Sequence, residues 1–210
     1  MSILLDIKEA TISGKHQRVE ELTRQALEDG IEAGRIIQEA LIPAMGVVGQ
    51  DFGAGKIYIP EMLIAARAMK TGIEILKPAL VGETMQTIGK VVIGTVRGDM
   101  HDIGKNLVIM MLEGSGFEVI DLGIDVPSHK FIEAVKGYKP DFMAMSALLT
   151  TTMPEMKRII EALEEASLRH EVKIMVGGAP VTQRFADEIG ADGYGENAGE
   201  AAERMKALVN

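Results

Sequence analysis

The chain has no cysteine and no tryptophan. Without a thiol there is no disulfide, no thiolate-bound zinc, no iron–sulfur cluster and no cysteine nucleophile, so any metal must be held by imidazole or oxygen. Aromatic residues make up only 4% of the 210, and 31 acidic residues against 22 basic ones leave a net charge of −9. That composition offers neither a basic face to track phosphates nor aromatic platforms for bases, which argues against a nucleic-acid partner. No stretch approaches the roughly 20 uninterrupted apolar residues of a membrane span, and the opening MSILLDIKEA turns acidic too early for a signal peptide. A soluble, cytoplasmic protein with no membrane partner is the expectation. The apolar share of 47% can fill a core, and the fourteen methionines read first as adaptable filler within it.

The chain has two grammars. Residues 1–88 read as helices throughout, a bundle of about four: Val19, Leu22 and Ala26 share one face near 15–29, and Met62, Ala65, Ala66, Met69, Ile73 and Leu76 share another near 61–77. Between them the glycines of VVGQDFGAGKIYIPEM break the pattern, and Pro60 followed by Glu61 marks a helix start. Residues 89–210 alternate short apolar runs with amphipathic segments. Strands are predicted at 91–96, 118–123, 142–148, 173–178 and 193–195, with helix faces at Ile103, Leu107, Met110 and Met111, at Met156, Ile159, Ile160 and Leu163, and at Ala198, Ala201, Met205 and Leu208. Apolar strands alternating with helices imply a doubly wound, Rossmann-like parallel sheet of five strands, in the flavodoxin-type order, with the helical bundle as a separate domain before it.

Ligands of such sheets bind beyond the carboxyl ends of the strands. Strand one runs there into Gly98, Asp99, Met100, His101, Asp102, Ile103 and Gly104, strand three ends near Ser146, Leu148 and Thr150, and strand four ends in Gly177 and Gly178. Glycines let backbone approach a ligand, and hydroxyls orient it. His101 alone is open to an ordinary reading as a solvated loop residue. Asp99 favours another, because a metal-bound imidazole usually passes its second ring N–H to a carboxylate. One imidazole is too few for a closed zinc site, so a metal here would bring most of its ligands with it, as in a macrocycle.

The set Asp99-x-His101-x-x-Gly104, Ser146-x-Leu148 and Gly177-Gly178 resembles the motifs of the cobalamin-binding corrinoid proteins of one-carbon methyltransferase systems, whose binding domain is similar to that of cobalamin-dependent methionine synthase. The likeness spans most of the chain: DFGAGKIYIPEMLIAARAM (51–69) is similar to the family's helical cap, and ADGYGENA (191–198), with Gly195 and Asn197, to its last strand-to-helix turn. The resemblance implies that His101 is the lower axial ligand of cobalt in place of the cofactor's own benzimidazole. It makes Asp99 the acceptor of the distal N–H and Ser146 the next member of the relay. Gly104, Leu148, Thr150, Gly177 and Gly178 would line the slot for the displaced nucleotide, with Met100, Asp102, Ile103, Gly195 and Asn197 also at the cofactor, although Asp102 reads equally as an exposed helix-start carboxylate.

By the same resemblance the chain carries a methyl group between a substrate-specific methyltransferase and a second one acting on a thiol or a tetrahydrofolate-type acceptor, with a reductive activase as a further partner. It is then a subunit of a methyltransferase system and not a stand-alone enzyme. Protonation of the Asp99–His101 pair would favour release of the metal, and proton loss ligation. The bundle would cap the corrin, with Phe52, Met62 and Met69 as candidate covering residues and 81–90 as the hinge, although a methionine stripe at helical spacing is more often bundle core. The stretch 146–163 looks most like methylamine and quaternary-amine systems, with methanol and methoxylated aromatics as alternatives. Competing classes are a cobalamin-dependent regulator, which needs a basic DNA-reading domain not evident before residue 15 or after 205, the corrinoid subunit of a mutase, and a phosphoacceptor receiver with Asp99 as acceptor. His129 and His170 read as surface residues, and His16 gives no sign of a site.

Overall fold

The computed structural model of the chain describes residues 2–80 and 87–209. The chain folds as two compact units, Met1–Gln86 with Gly114–Gly116, and Thr87–Glu113 with Phe117–Asn210. Of the hinge expected at 81–90, residues 81–86 lie outside the described residues. No described helix is long and apolar enough to cross a membrane.

Among the described residues the first unit has four helical rods: α1 (Ile3–Ile12), α2 (His16–Glu28), α3 (Ala33–Ile36) running on into α4 (Ile42–Gly53), and α5 (Ile59–Leu76). The α2 helix packs on α1 and α5, and α1 also packs on α4. Between α3 and α4 the helix loosens into a π-turn at Ile37–Leu41. Pro43 lies just beyond it. Lacking an N–H, it cannot bond the carbonyl of Glu39 four residues back, and the wider turn absorbs that mismatch. Helix α4 runs through Gly46 and Gly49 to Gly53, so the glycines end the helix later than the sequence pattern suggests; Gly49 is buried with Met45 and Val48 and takes part in packing. The α5 start is where Pro60 and Glu61 place it, and Tyr58 N–H donates to the Glu61 carboxylate at 3.0 Å. Met62 and Met69 are buried in this bundle, which corrects their reading as covering residues: at helical spacing they are core.

The second unit is a five-stranded parallel sheet in the order β2-β1-β3-β4-β5. Its strands are β1 (Lys90–Thr95), β2 (Glu118–Asp121), β3 (Phe142–Ser146), β4 (Lys173–Gly177) and β5 (Gly193–Gly195). They alternate with α6 (Ile103–Gly114), α7 (Ser128–Tyr138), α8 (Pro154–Glu165), α9 (Gln183–Ile189) and α10 (Ala198–Leu208). This is the doubly wound architecture anticipated. The central strands β1, β3 and β4 are buried almost throughout, as strands covered on both faces must be, while edge strand β2 is half open. One face packs Val92, Phe131, Met143, Ile159, Ile160 and Ile174 into a single cluster. Each such side chain contributes about 1.5–3 kcal/mol by leaving water, which makes the sheet a rigid platform for whatever sits at its edge.

Candidate functional site

Parallel pairing puts the last residues of four strands in one row: Thr95 opposite Ser146, Ser146 opposite Gly177, Gly177 opposite Gly195. The chain leaves β1 toward β2 on one side, and β3 lies on the other, so the reversal of strand order falls between β1 and β3. Crevices form at such a switch point because the two connections diverge. The segments entering this crevice are the loop Val96–Asp102 after β1 and the loop Ala147–Met153 after β3.

Asp99 ties these loops together and is fully buried. Its Oδ1 lies 2.7 Å from Nδ1 of His101 and accepts the His101 backbone N–H at 3.1 Å. Its Oδ2 accepts the amides of Leu148 and Leu149 at 2.8 and 3.2 Å and lies 2.7 Å from the Thr152 hydroxyl. Burial opposes ionisation of this carboxyl, but the bonds from Thr152, the His101 ring and the Leu148 and His101 amides outweigh it and hold the group well below the usual carboxylate range. A carboxylate beside Nδ1 fixes the neutral imidazole as the Nδ1–H tautomer and leaves the Nε2 lone pair free. The ring is buttressed on one side and open on the other, with 51% of the side chain exposed. Below it, the buried Thr95 hydroxyl donates to the His101 carbonyl at 2.9 Å. Among the described residues no group of three or more His, Asp or Glu side chains could hold a metal ion, so a metal met here has to come with other ligands.

The structure corrects one expected role. The residue whose hydroxyl reaches Asp99 is Thr152, and Ser146, half-buried at the end of β3, forms no side-chain hydrogen bond to Asp99. The physical reason is direction: Ser146 still belongs to the sheet ladder, pairing with Gly177, whereas the loop after it turns back and delivers Thr152 to the carboxylate. Asp102 behaves as a helix-start residue, exposed and accepting from the Asn106 side chain at 3.1 Å. Ile103 was counted with the packed face of α6 but is 74% exposed, and Met100 is 63% exposed. Both stand beyond the carboxyl edge with Leu148, itself 43% exposed, and Thr150 is exposed beside them. A side chain at Gly104 would meet nothing within 4 Å, whereas one at Gly178 would strike the Ala147 carbonyl. Gly195 is needed for packing, since a Cβ there would lie 2.7 Å from that of Ala201. Asn197 caps α10 by accepting the Glu200 amide at 3.0 Å.

Three contributors escaped the sequence reading. Thr95 ends an apolar run, and Thr152 is one of three consecutive threonines. Neither has a periodicity that points inward. Lys105, in α6, is 2% exposed and places its ammonium 2.7 Å from both oxygens of Asp121 and 3.1 Å from Asn106 Oδ1. Only the acid at the end of β2 could have flagged it. Thr152→Val keeps the shape but removes the hydroxyl from a buried carboxylate, and we expect a loss of about 1–3 kcal/mol in urea unfolding. An unchanged urea midpoint would show that the hydroxyl does not support Asp99.

Comparison with known proteins places these residues in a wider setting. A family model described as a B12 binding domain matches residues 89–203, and a second of the same description matches residues 3–77. The chain is 46% identical over 210 residues to the trimethylamine corrinoid protein of Methanosarcina barkeri, covering 99% of this chain and 97% of that one. Among solved structures it resembles a chain of the methanol:cobalamin methyltransferase complex from Methanosarcina barkeri, with a TM-score of 0.87 and 36% identity, covering 99% of this chain and 79% of that one. It also resembles a cobalamin-binding protein from Desulfitobacterium hafniense DCB-2, with a TM-score of 0.84 and 30% identity over 100% of this chain and 99% of that one.

Proposed function

The chain belongs to the corrinoid proteins with B12 binding domains, its cofactor is a cobalamin, and from that premise we propose that it is a methyl carrier that grips the cofactor through His101 with the cofactor's own base displaced. The observation that carries this reading is the Asp99–His101 pair at the switch point, with Nδ1 engaged at 2.7 Å and the ring half exposed. When bound, the corrinoid supplies a cobalt centre able to accept a methyl group from one partner and yield it to another.

The residues present fit such a group. A single imidazole with a free Nε2 suits a metal already ringed by a macrocycle. Met100, Ile103 and Leu148 give the rim exposed apolar surface, and the open position at Gly104 leaves room for close approach. In this reading Asp99 keeps the proton on Nδ1 and away from Nε2, and its bonds to Leu148, Leu149 and Thr152 stop the carboxylate from following the ring. The nitrogen left without a proton, Nε2, is the one that would hold the metal. Gly177, Thr150 and Ser146 border the place for the displaced nucleotide.

The partners proposed are a methyltransferase specific for a methylated amine, a second methyltransferase delivering to a thiol or tetrahydrofolate-type acceptor, and a reductive activase, all in the cytoplasm. Shielding of the corrin by the helical unit belongs to the same proposal; that unit carries exposed Tyr58, Ile59 and Ile64 at the start of α5. The test is direct. Apoprotein mixed with hydroxocobalamin and desalted is expected to retain about one corrinoid per chain, with visible and magnetic spectra of a histidine-ligated, base-displaced form. A colourless eluate would overturn the proposal.

A further inference from the structure

Among the described residues, three non-glycine residues have positive φ: Asp125, Lys139 and Ser167. Lys139 and Ser167 follow the ends of α7 and α8, where a left-handed residue routinely closes a helix. Asp125, at φ 52°, ends no helix. It lies in the connection from β2 to α7, and a left-handed non-glycine residue there is held by its surroundings.

What holds it is the histidine loop. The Asp125 N–H donates to the backbone carbonyl of Asp99 at 3.0 Å, and the Asp125 carboxylate accepts the N–H of Gly98 at 2.6 Å. The next residue, Val126, donates to the Thr95 carbonyl at 2.9 Å and forms a parallel bridge with Val96. Asp99 is therefore fixed from both flanks: its carboxylate by the loop after β3, its backbone by Asp125. Gly98 is itself left-handed, at φ 82°, and without the Asp125 carboxylate its exposed N–H has only water to meet. The left-handed turn at 125 is what lets one residue bond two successive residues of the loop that carries His101.

We propose that Asp125 is a positioning residue for His101: it clasps Gly98 and Asp99 so that the imidazole presents Nε2 in a fixed direction to the metal. This rests on the reading of His101 as the axial ligand. A charge-assisted bond at 2.6 Å is strong enough to matter, and losing it frees the chain at Gly98, one residue before Asp99 and three before His101.

The experiment separates backbone conformation from the acceptor. Asp125→Gly keeps the left-handed turn and removes the carboxylate, and Asp125→Asn keeps both an acceptor and tolerance of that turn. In the cobalamin-loaded protein reduced to the cobalt(II) state, electron paramagnetic resonance reports nitrogen ligation by its splitting. Asp125→Gly is expected to shift the ligated-to-free ratio toward free by about tenfold, and Asp125→Asn to restore it. In apoprotein, amide exchange across residues 97–102 is expected to speed up about tenfold in Asp125→Gly, with the exchange of the β3 and β4 amides unchanged. Full nitrogen ligation in Asp125→Gly, or an Asn variant as impaired as the Gly variant, overturns the proposal. If wild-type protein shows no nitrogen ligation, the axial-ligand reading fails instead, and the exchange measurement still decides whether Asp125 clasps the loop.

Discussion

His101→Ala protein loaded with cobalamin is expected to retain a corrinoid but lose its nitrogen-ligated spectrum, with methyl delivery to the acceptor enzyme reduced about a hundredfold or more. The ring is half exposed, so folding should change by no more than about 1 kcal/mol. Asp99→Asn should reach the same spectrum by another route. The carboxamide oxygen will stay with Leu148, Leu149 and Thr152, which are all donors, and that turns the NH₂ toward His101 Nδ1. Nδ1 must then accept, the proton moves to Nε2, and the nitrogen needed by the metal is blocked. The variant also differs in acid. Because the Asp99 carboxyl is held below its unfolded value, its contribution to stability is complete above roughly pH 4 and is lost as pH falls from there toward the depressed folded value. Urea melts of the Asn variant should therefore be less acid-sensitive than wild type in that window. An intact nitrogen-ligated spectrum in His101→Ala would remove His101 from the metal.

The sheet and its order were legible because continuous apolar strands between amphipathic helices admit few other arrangements. The differences gather at strand ends. Strand β2 stops at Asp121 and not 123, because Asp121 turns its carboxylate back to the Gly123 amide and to Lys105. Strand β3 stops at Ser146 and not 148, because the Leu148 amide leaves the ladder for Asp99. Pattern reading extends an apolar strand until polarity changes, but these residues end it early to build the site. The Asp99–His101 pair was visible as a spacing of two. Thr152 was not, since its approach to Asp99 depends on how the seven-residue loop Ala147–Met153 folds. Lys105 was hidden for a related reason: a lysine on an amphipathic helix reads as solvated unless the acid that buries it is known to be adjacent. Asp125 carries no signal at all in one dimension, because its role is a backbone conformation.

The glycines divide into those the fold needs and those a ligand needs, and paired substitutions distinguish them. Gly178 has φ 126°, and a Cβ there would lie 1.9 Å from the Ala147 carbonyl oxygen, an overlap of backbone that no rotamer relieves. Gly178→Ala must therefore push the loop after β4 away from the loop after β3, and the adjacent Leu148 amide moves with it. A loss above about 4 kcal/mol is expected, enough to leave much of a marginally stable domain unfolded. Gly104 is the opposite case: it lies in the first turn of α6, and a Cβ meets nothing within 4 Å. Gly104→Ala should stabilise the apoprotein by up to about 1 kcal/mol, since alanine is the better helix former, while weakening cobalamin retention if the open space is where the cofactor approaches. Thermal melts of apoprotein beside cobalamin titrations read the two effects separately. Stable folding of Gly178→Ala would show that the loops after β3 and β4 part without cost, and unchanged cofactor affinity in Gly104→Ala would place the cofactor away from the start of α6.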